Sequence, residues 1–511
     1  MHEEADIVVV GAGSAGCVLA ARLSEDPSRQ VVLIEAGVEA PSIRVRQPNQ
    51  WPLLWDDAEN WGYATTLQAG LGLRSIPYPR GKTLGGTSAI NAMIVMRGDP
   101  QDFDHWRDLG NPGWGWSDVL PYFMRLEDHF LGASALHGVD GPLTVSAQSS
   151  PSPISQAFIQ AALATGHRPN NDFNGDHMEG VGLYHVSIRN GERCSTAVAY
   201  LRPAMQRSNL RVIQRARALR IHFEGDRAAA VDIWDGSQLR RIHANQEVVL
   251  SAGAIDTPKL LMLSGVGDPA ALQSHGIAVR HDLPAVGMNL CDHTQTPTLF
   301  ALKQPMAAAP TSILAEAGLF MKRTDAVNNF GADLQFFTFP QLPLTVAARG
   351  NAPAMAICAQ ACRPRSRGQV RLRSADPLDM PVIDPGYLTH PDDVALQIEG
   401  IRMARQIAAA EPLAALLHAE LSPGLHATSD AALVAAVRAT SGCVWHPVGT
   451  CRMGSGTDAV VDSALRVHGL RNLRVVDASV MPQITSANTN VPTIMVAEKA
   501  ADLLLGRSAV R

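Results

Sequence analysis

An α/β fold (α+β overall), with a mostly parallel sheet interrupted by an inserted second domain, is what this sequence predicts. Three observations carry the prediction. Ile7–Val10 and Val31–Ile34 are continuous apolar, β-branched runs of the kind that form strands buried on both faces. Between them Gly11-Ala-Gly13-Ser14-Ala15-Gly16 passes into Cys17–Leu23, whose apolar spacing is helical. At the far end of the chain Leu473–Asp477 reads as another strand and Val491–Leu505 as a helix. One sheet therefore draws on both ends of the sequence.

The elements follow in order. Asp26-Pro27 stops the first helix, and Glu35 followed by Gly37 closes the second strand, completing a βαβ unit. Pro41 to Pro79 is rich in Trp and Pro and reads as irregular chain wrapped over something. Residues 146–189 are mixed. Leu210–Ile213, Ala218–Phe223 and Ala229–Trp234 alternate as in a β-meander, and Glu247–Ser251 returns to a buried, parallel-type strand. Residues 298–440 form a separate block, with strand-like patches at 334–339 and 369–373 and helices at 395–410 and 429–440. The expected division is a discontinuous first domain (1–145, 190–297 and 441–511) and a second made of 146–189 and 298–440.

Composition narrows the class. The chain has 511 residues, of which 46% are hydrophobic and 18% charged, a globular balance rather than a disordered one. A net charge of -5 supplies no electrostatic reason to expect a nucleic-acid partner. Seven scattered cysteines (17, 194, 291, 358, 362, 443 and 451) suggest neither a disulfide framework nor a metal site, and point to a reducing, cytoplasmic compartment. The acidic start, Glu3-Glu4, is unlike a signal peptide, and no apolar run reaches the ~18 residues of a membrane span. The oligomeric state stays open.

The hexapeptide Gly11–Gly16 has the G-x-G-x-x-G form. Its first glycine makes the tight turn, the second admits a pyrophosphate to the backbone, and the third lets helix and strand pack closely. The helix start then offers free N–H groups and a positive dipole end to phosphate. Glu35, nineteen residues after Gly16, stands where an acid would accept hydrogen bonds from a ribose. An ADP-containing dinucleotide is the expected ligand, with NAD and FAD both open from this motif. The second cluster, Arg80-Gly81-Lys-Thr-Leu-Gly85-Gly86-Thr-Ser88-Ala-Ile-Asn91, lets backbone lie against a flat or phosphorylated ligand and favours FAD.

With those segments in view, the chain resembles the glucose–methanol–choline (GMC) oxidoreductases, which are FAD enzymes. The resemblance extends over Asn60-Trp61, Arg97-Gly98, the block from Gly253 to Gly267, His446–Gly454, Asp477–Pro482 and Asn488–Asn490. It implies a Rossmann-like FAD-binding domain with an inserted substrate domain built from an antiparallel sheet and helices. It further implies cofactor contacts residue by residue. Gly11, Gly13, Ser14, Ala15 and Gly16 would face the pyrophosphate, and Glu35 and Ala36 the ribose, with Ala218 at the adenine. Gly85, Gly86, Ser88, Asn91 and Ala92 would run along the pyrophosphate and isoalloxazine, with Trp61, Gly81 and Met93 also among the cofactor-binding residues. Ser251, Ala252, Gly253, Asp477 and Ala478 would flank the cofactor, and Asn490 and Val491 would begin the helix beside the flavin pyrimidine ring. Relatives with covalent flavin carry a histidine in the Gly-Gly loop; Ile90 stands there, which implies non-covalent FAD. Val95 replaces the usual aromatic or alanine and leaves that wall undefined.

Oxidising an alcohol means removing a hydroxyl proton and a hydride from one carbon. A histidine suits the proton, and of the 17 present His446 is singled out by the rigid turn at Pro447 and Gly449 and by its place in the family motif. Asn488 matches the second active-site position; it can hydrogen-bond the hydroxyl but cannot take its proton. Asn490 is compatible with a helix cap. Val444 and Trp445 precede the base, and the indole is suited to stack on a flat ring; this segment is similar to family members that oxidise hydroxymethyl groups on aromatic rings. A small-molecule primary alcohol, aromatic or heteroaromatic, is therefore expected. Its electrons would pass through FAD to O2, giving hydrogen peroxide, or to another acceptor. Choline fits less well, since no acid and aromatic cage is identifiable in the sequence. A non-redox flavoprotein lyase is the other class to weigh.

Overall fold

The computed structural model describes residues 3–39, 42–306, 308–323, 331–341 and 353–507; Met1, His2 and Pro41 fall outside them. The expected βαβ unit is present as the strands Glu3–Val10 and Val31–Ile34, paired in parallel, and the helix Ser14–Leu23 between them. All four residues of the second strand and the last four of the first are buried, which is why both read as unbroken apolar runs.

The first sheet places Leu210–Ile213 at one edge, beside Val31–Ile34, then Glu3–Val10, Leu239–Leu250, Arg227–Trp234 and Arg217–Glu224. Leu210–Ile213 is therefore not part of the meander that its alternation suggested. It runs parallel to Val31–Ile34 on the opposite side of the sheet. Period-2 patterning marks a strand but does not name its neighbour. Leu239–Leu250 does two jobs. Its first half pairs antiparallel with Arg227–Trp234, whereas Val248–Leu250 runs parallel to Leu473–Val475. Its other edge follows Glu3–Val10 in parallel throughout.

The C-terminal helix Asn490–Leu505 packs against Ser14–Leu23. Glu498, fully buried, accepts hydrogen bonds from Arg22 at 2.9 and 3.0 Å and from the Tyr200 hydroxyl at 2.8 Å, and lies 2.7 Å from Arg125. Removing one member of such a cluster leaves buried charge uncompensated, at a cost of roughly 3–5 kcal/mol. The cluster ties the end of the chain to its beginning.

A second, antiparallel sheet runs Leu417–Ser422, Thr294–Leu302, Ala354–Ala361, Leu334–Phe339, Ala317–Met321 and Gly180–Leu183, with Gly442–Cys443 added beside Thr294 and Gln295. The helices Pro391–Ala408 and Pro153–Ala164 pack on it through Ile407, Ala404, Phe158 and Ala161. The short pair Gly442–Cys443 matters for position: it delivers Val444, Trp445 and His446 from the second sheet toward the first.

Candidate active site

A cleft runs from the carboxyl ends of the first sheet's parallel strands to the second sheet, with about 1960 Å³ of open space counted out to its mouth. Its lining extends from the glycine-rich turn at Gly11 to His446 and Asn488, a reach that suits an extended dinucleotide. At one end Gly11, Gly13, Ser14 and Ala15 present the start of the helix Ser14–Leu23, whose N-cap Gly13 contributes no side-chain cap. Glu35 and Ala36 follow. The Glu35 carboxylate accepts from the backbone N–H groups of Ala12 (2.9 Å) and Gly37 (2.8 Å), and burial pushes its pKa up to about 7. Ala218, Trp61, Gly81, Gly86, Asn91, Ala92, Met93, Ser251, Ala252, Gly253, Asp477, Ala478 and Asn490 all line the same cleft.

Four expected cofactor residues stand behind this wall instead. Gly16 packs against the Gly11 carbonyl, where a Cβ would lie 1.8 Å from the oxygen. The Gly85 N–H donates to Ala12, Ser88 bonds Gly85 and Thr196, and Val491 is buried in the first turn of the last helix. These residues shape the backbone rather than line the cleft, because the third glycine and the loop interior serve packing. Asn490 is also not a cap. Thr489 holds the N-cap position, and the Asn490 side chain accepts a 2.7 Å bond from Ser14, joining the starts of the two helices.

Two features fit an anionic dinucleotide such as FAD. Both helix starts, at Ser14 and Asn490, open on the cleft without side-chain caps, leaving N–H groups for phosphate and for negative charge. Beneath the second glycine loop, Arg193 is buried and donates to the carbonyls of Val45, Ser88 and Asn91 and to the Asn91 side chain. No carboxylate is among those partners, and its Nη2 has no partner among the described residues. A buried cation of this kind calls for negative charge nearby.

At the other end of the cleft lie His446 and Asn488, brought within 3.2 Å of each other (Nε2 to Nδ2) across 42 residues of sequence. The ring is oriented from behind by His293, which sequence reasoning missed. His293 Nε2 is 2.8 Å from the Cys362 carbonyl, which only accepts, so that nitrogen carries the proton. Its Nδ1 is then an acceptor and takes the Nδ1–H of His446 at 3.0 Å. The lone pair of His446 is therefore on Nε2, facing Asn488. Asp292 holds the turn in place by accepting the backbone N–H of His446 (2.6 Å) and the hydroxyls of Tyr78 (2.6 Å) and Tyr387 (2.5 Å).

Burial, then the His293 ring and the Arg80 guanidinium, hold the His446 pKa well below the ordinary histidine value, and burial lowers His293 to about 4. A base whose pKa is lowered is unprotonated above that value and becomes protonated only on acidification. A reaction that uses this imidazole as its base is accordingly expected to run at a rate that stays level from about pH 6.5 to 9 and falls only on the acid side. A rate that climbs through pH 7 to 8 would contradict this assignment.

Around His446 the walls are aromatic. Val444 and Trp445 line the cleft, and Trp51 and Trp55 join them from the irregular N-terminal stretch. Trp55 and Trp445 meet edge-on at 4.4 Å, and Trp51 lies 5.4 Å from Trp55. Trp445 has φ +60, and its carbonyl accepts from Arg80 at 2.5 Å. Phe337 and Phe339 complete the wall from the second sheet. Val95 is buried outside it. Among the described residues the carboxylates lining the cleft are Glu35, Asp256 and Asp477. Asp256 accepts from the Tyr63 hydroxyl, and Asp477 from Gly253, Thr257 and Ser479.

A glycine-rich dinucleotide cleft ending in a polarised histidine and a carboxamide defines a cofactor-dependent oxidoreductase. Family models described as GMC oxidoreductase match residues 5–295 and 364–497, and the chain belongs to that family. It is 41% identical to an alcohol dehydrogenase [acceptor] of Pseudomonas putida, over 98% of this chain and 95% of the relative. It is also 41% identical to the mitochondrial choline dehydrogenase of Homo sapiens, over 100% and 91%. Pyridoxine 4-oxidase from Mesorbium loti superposes with a TM-score of 0.93 at 34% identity, covering 99% of this chain and all of that one. The protein is thus an FAD-dependent oxidoreductase acting on CH–OH donors, with the family's FAD-binding domain and separate antiparallel-sheet substrate domain. No helix among the described residues is long and apolar enough to cross a membrane.

Proposed function

We propose that the protein oxidises a primary alcohol on an aromatic or heteroaromatic ring to the aldehyde, with His446 as base and Asn488 as its partner. The arrangement of those two side chains, Nε2 lone pair facing an amide N–H, is the observation that carries the reading. His446 Nε2 takes the hydroxyl proton, and Asn488 Nδ2 donates to the oxygen as its negative charge develops. FAD, held non-covalently since Ile90 offers no attachment, would supply the hydride acceptor, with O2 as the final electron acceptor and hydrogen peroxide as its product. The helix starts at Ser14 and Asn490 would face its negative groups, and Glu35 its ribose. Imidazolium at 446 is disfavoured by burial, but the alkoxide beside it offsets that cost, so proton and hydride leave in close succession.

Trp445, Trp55, Trp51 and the two phenylalanines offer flat apolar faces for a ring. These rings alone would also suit a quaternary ammonium. The charges argue otherwise: Arg80 lies close enough to depress His446, and no carboxylate lines that end among the described residues. The same reading assigns 1–145, 190–297 and 441–511 to FAD and 146–189 and 298–440 to substrate, except that Thr294–Pro297 and Gly442–Cys443 pair within the second sheet. The seven unpaired, buried cysteines suit a cytoplasmic setting.

The test is anaerobic mixing of holoenzyme with benzyl alcohol, pyridinemethanols, choline and short aliphatic alcohols. Hydroxymethyl arenes should bleach the flavin at least about tenfold more efficiently than choline, the discrimination expected of an apolar ring pocket. Choline bleaching fastest would overturn the substrate assignment. Readmitted air should restore the colour rapidly with peroxide. Slow recolouring would favour a dehydrogenase using another acceptor, the reading suggested by the name of the Pseudomonas relative.

A further inference from the structure

Asn488 has two chemically different ends, and catalysis as proposed above needs the amide N–H, not the carbonyl, turned toward His446. Nothing in the Asn488 side chain itself decides which end points where, because the two are nearly equal in size. The decision comes from the second sheet. Gln335 and Gln360 sit directly opposite each other on neighbouring antiparallel strands, and Gln295 sits opposite Gln360 on the next. One row of carboxamides thus crosses three strands.

The polarity of this row follows from a backbone carbonyl. The Tyr184 hydroxyl is 2.8 Å from the Phe336 carbonyl, which can only accept, so Tyr184 spends its proton there. Its oxygen then accepts from Gln335 at 3.0 Å, which identifies that atom of Gln335 as Nε2. The Gln335 carbonyl oxygen is left for Gln360, whose Nε2 donates to it at 2.9 Å. The remaining proton on Gln335 Nε2 goes to Asn488 Oδ1 at 3.3 Å. Asn488 therefore turns its Nδ2 to His446 Nε2. Tyr184, Gln335 and Gln360 are all fully buried, and reversing the Gln335 amide would set its N–H against the Gln360 N–H and its oxygen against Asn488 Oδ1.

We infer that Gln335, anchored by Tyr184 and Gln360, is a positioning residue that fixes the Asn488 carboxamide with its N–H toward the base and the substrate oxygen. Gln335 does not line the cleft, and its hydrogen bonds run to Tyr184, Gln360 and Asn488 rather than to His446. Its effect on the reaction passes through Asn488 alone. Together with the chain from Cys362 through His293, two hydrogen-bond series, each starting at a backbone carbonyl, converge on the same imidazole ring, one at Nδ1 and the other at Nε2. The inference rests on the roles proposed for His446 and Asn488.

A double-mutant cycle tests it, using the holoenzyme and the rate constant for anaerobic flavin reduction by the best alcohol. Gln335→Met keeps the volume and removes the amide. It should slow reduction about tenfold, the worth of one well-placed hydrogen bond, at unchanged flavin content. In an Asn488→Ala background the same substitution should slow reduction less than about twofold further, because the group it positions is gone. Tyr184→Phe, which retains the ring, should give a smaller loss that likewise vanishes in that background. In protein labelled with ¹⁵N-histidine, the His446 Nε2 resonance should shift in Gln335→Met and Asn488→Ala alike. Equal tenfold losses in both backgrounds would mean that Gln335 acts on the fold, and would overturn the inference while leaving Asn488 in place. Full activity of Asn488→Ala itself would instead defeat the underlying reading. Should Gln335→Met fail to fold, Tyr184→Phe carries the cycle.

Discussion

The His446→Ala variant is expected to remain a yellow holoenzyme whose flavin is reduced by alcohol roughly 10²–10⁴-fold more slowly, the usual worth of a positioned general base. The imidazole is oriented by His293 at one nitrogen and faces Asn488 with the other, and among the described residues neither bond reaches the glycine-rich end of the cleft. Flavin occupancy should therefore hold while chemistry fails. Asn488 accepts no proton, and His293 Nδ1 is turned toward His446, so among the described residues no neighbour lining the cleft is placed to substitute. Stopped-flow reduction under nitrogen, with flavin per chain measured in parallel, separates the two effects. A variant within about twofold of the wild-type rate would remove His446 from the mechanism.

Gly13→Ala is expected to produce the complementary phenotype: a folded chain that does not hold its cofactor. A Cβ built at Gly13 meets only the Ser251 carbonyl, at 3.8 Å, and the residue's φ of -78 is ordinary for alanine. Within the protein alone the methyl is tolerated. It projects where the second glycine of the motif admits pyrophosphate to the backbone, so FAD affinity should drop by at least about tenfold. Gly16→Ala differs in kind, since its Cβ would sit 1.8 Å from the Gly11 oxygen and 2.8 Å from the Ser251 hydroxyl. That change should lower the melting temperature of the apoprotein as well, whereas Gly13→Ala should not. Fluorescence titration of apoprotein with FAD and melting of the apo forms distinguish them. Unimpaired FAD binding by Gly13→Ala would place the pyrophosphate elsewhere.

Local chemistry was legible in the sequence where neighbours in the chain are neighbours in space. The unit from Ile7 to Glu35 needs no distant partner to be recognised, because strand, glycine turn, helix and acid follow one another. His446 and Asn488 came from motif spacing, and the fold brings them together. What escaped depends on long-range register. His293 reaches His446 across 153 positions, through the pairing of Thr294 with Cys443. The carboxamide row of Gln295, Gln360 and Gln335 exists only once three strands are aligned, since a shift of one residue would turn each side chain to the other face. Trp51 and Trp55 lie in a stretch without periodicity, where nothing in the sequence says what a loop will cover. The meander reading failed at Leu210–Ile213 for the same reason: alternation reports burial, not partnership.

The most direct measurement is a crystal structure of the FAD holoenzyme with the product aldehyde of its best substrate bound. The carbonyl oxygen is predicted to lie about 2.6–3.2 Å from both His446 Nε2 and Asn488 Nδ2, with the ring against Trp445 or Trp55. An aldehyde oxygen held by other groups, or an imidazole turned so that Nε2 faces His293, would contradict the account.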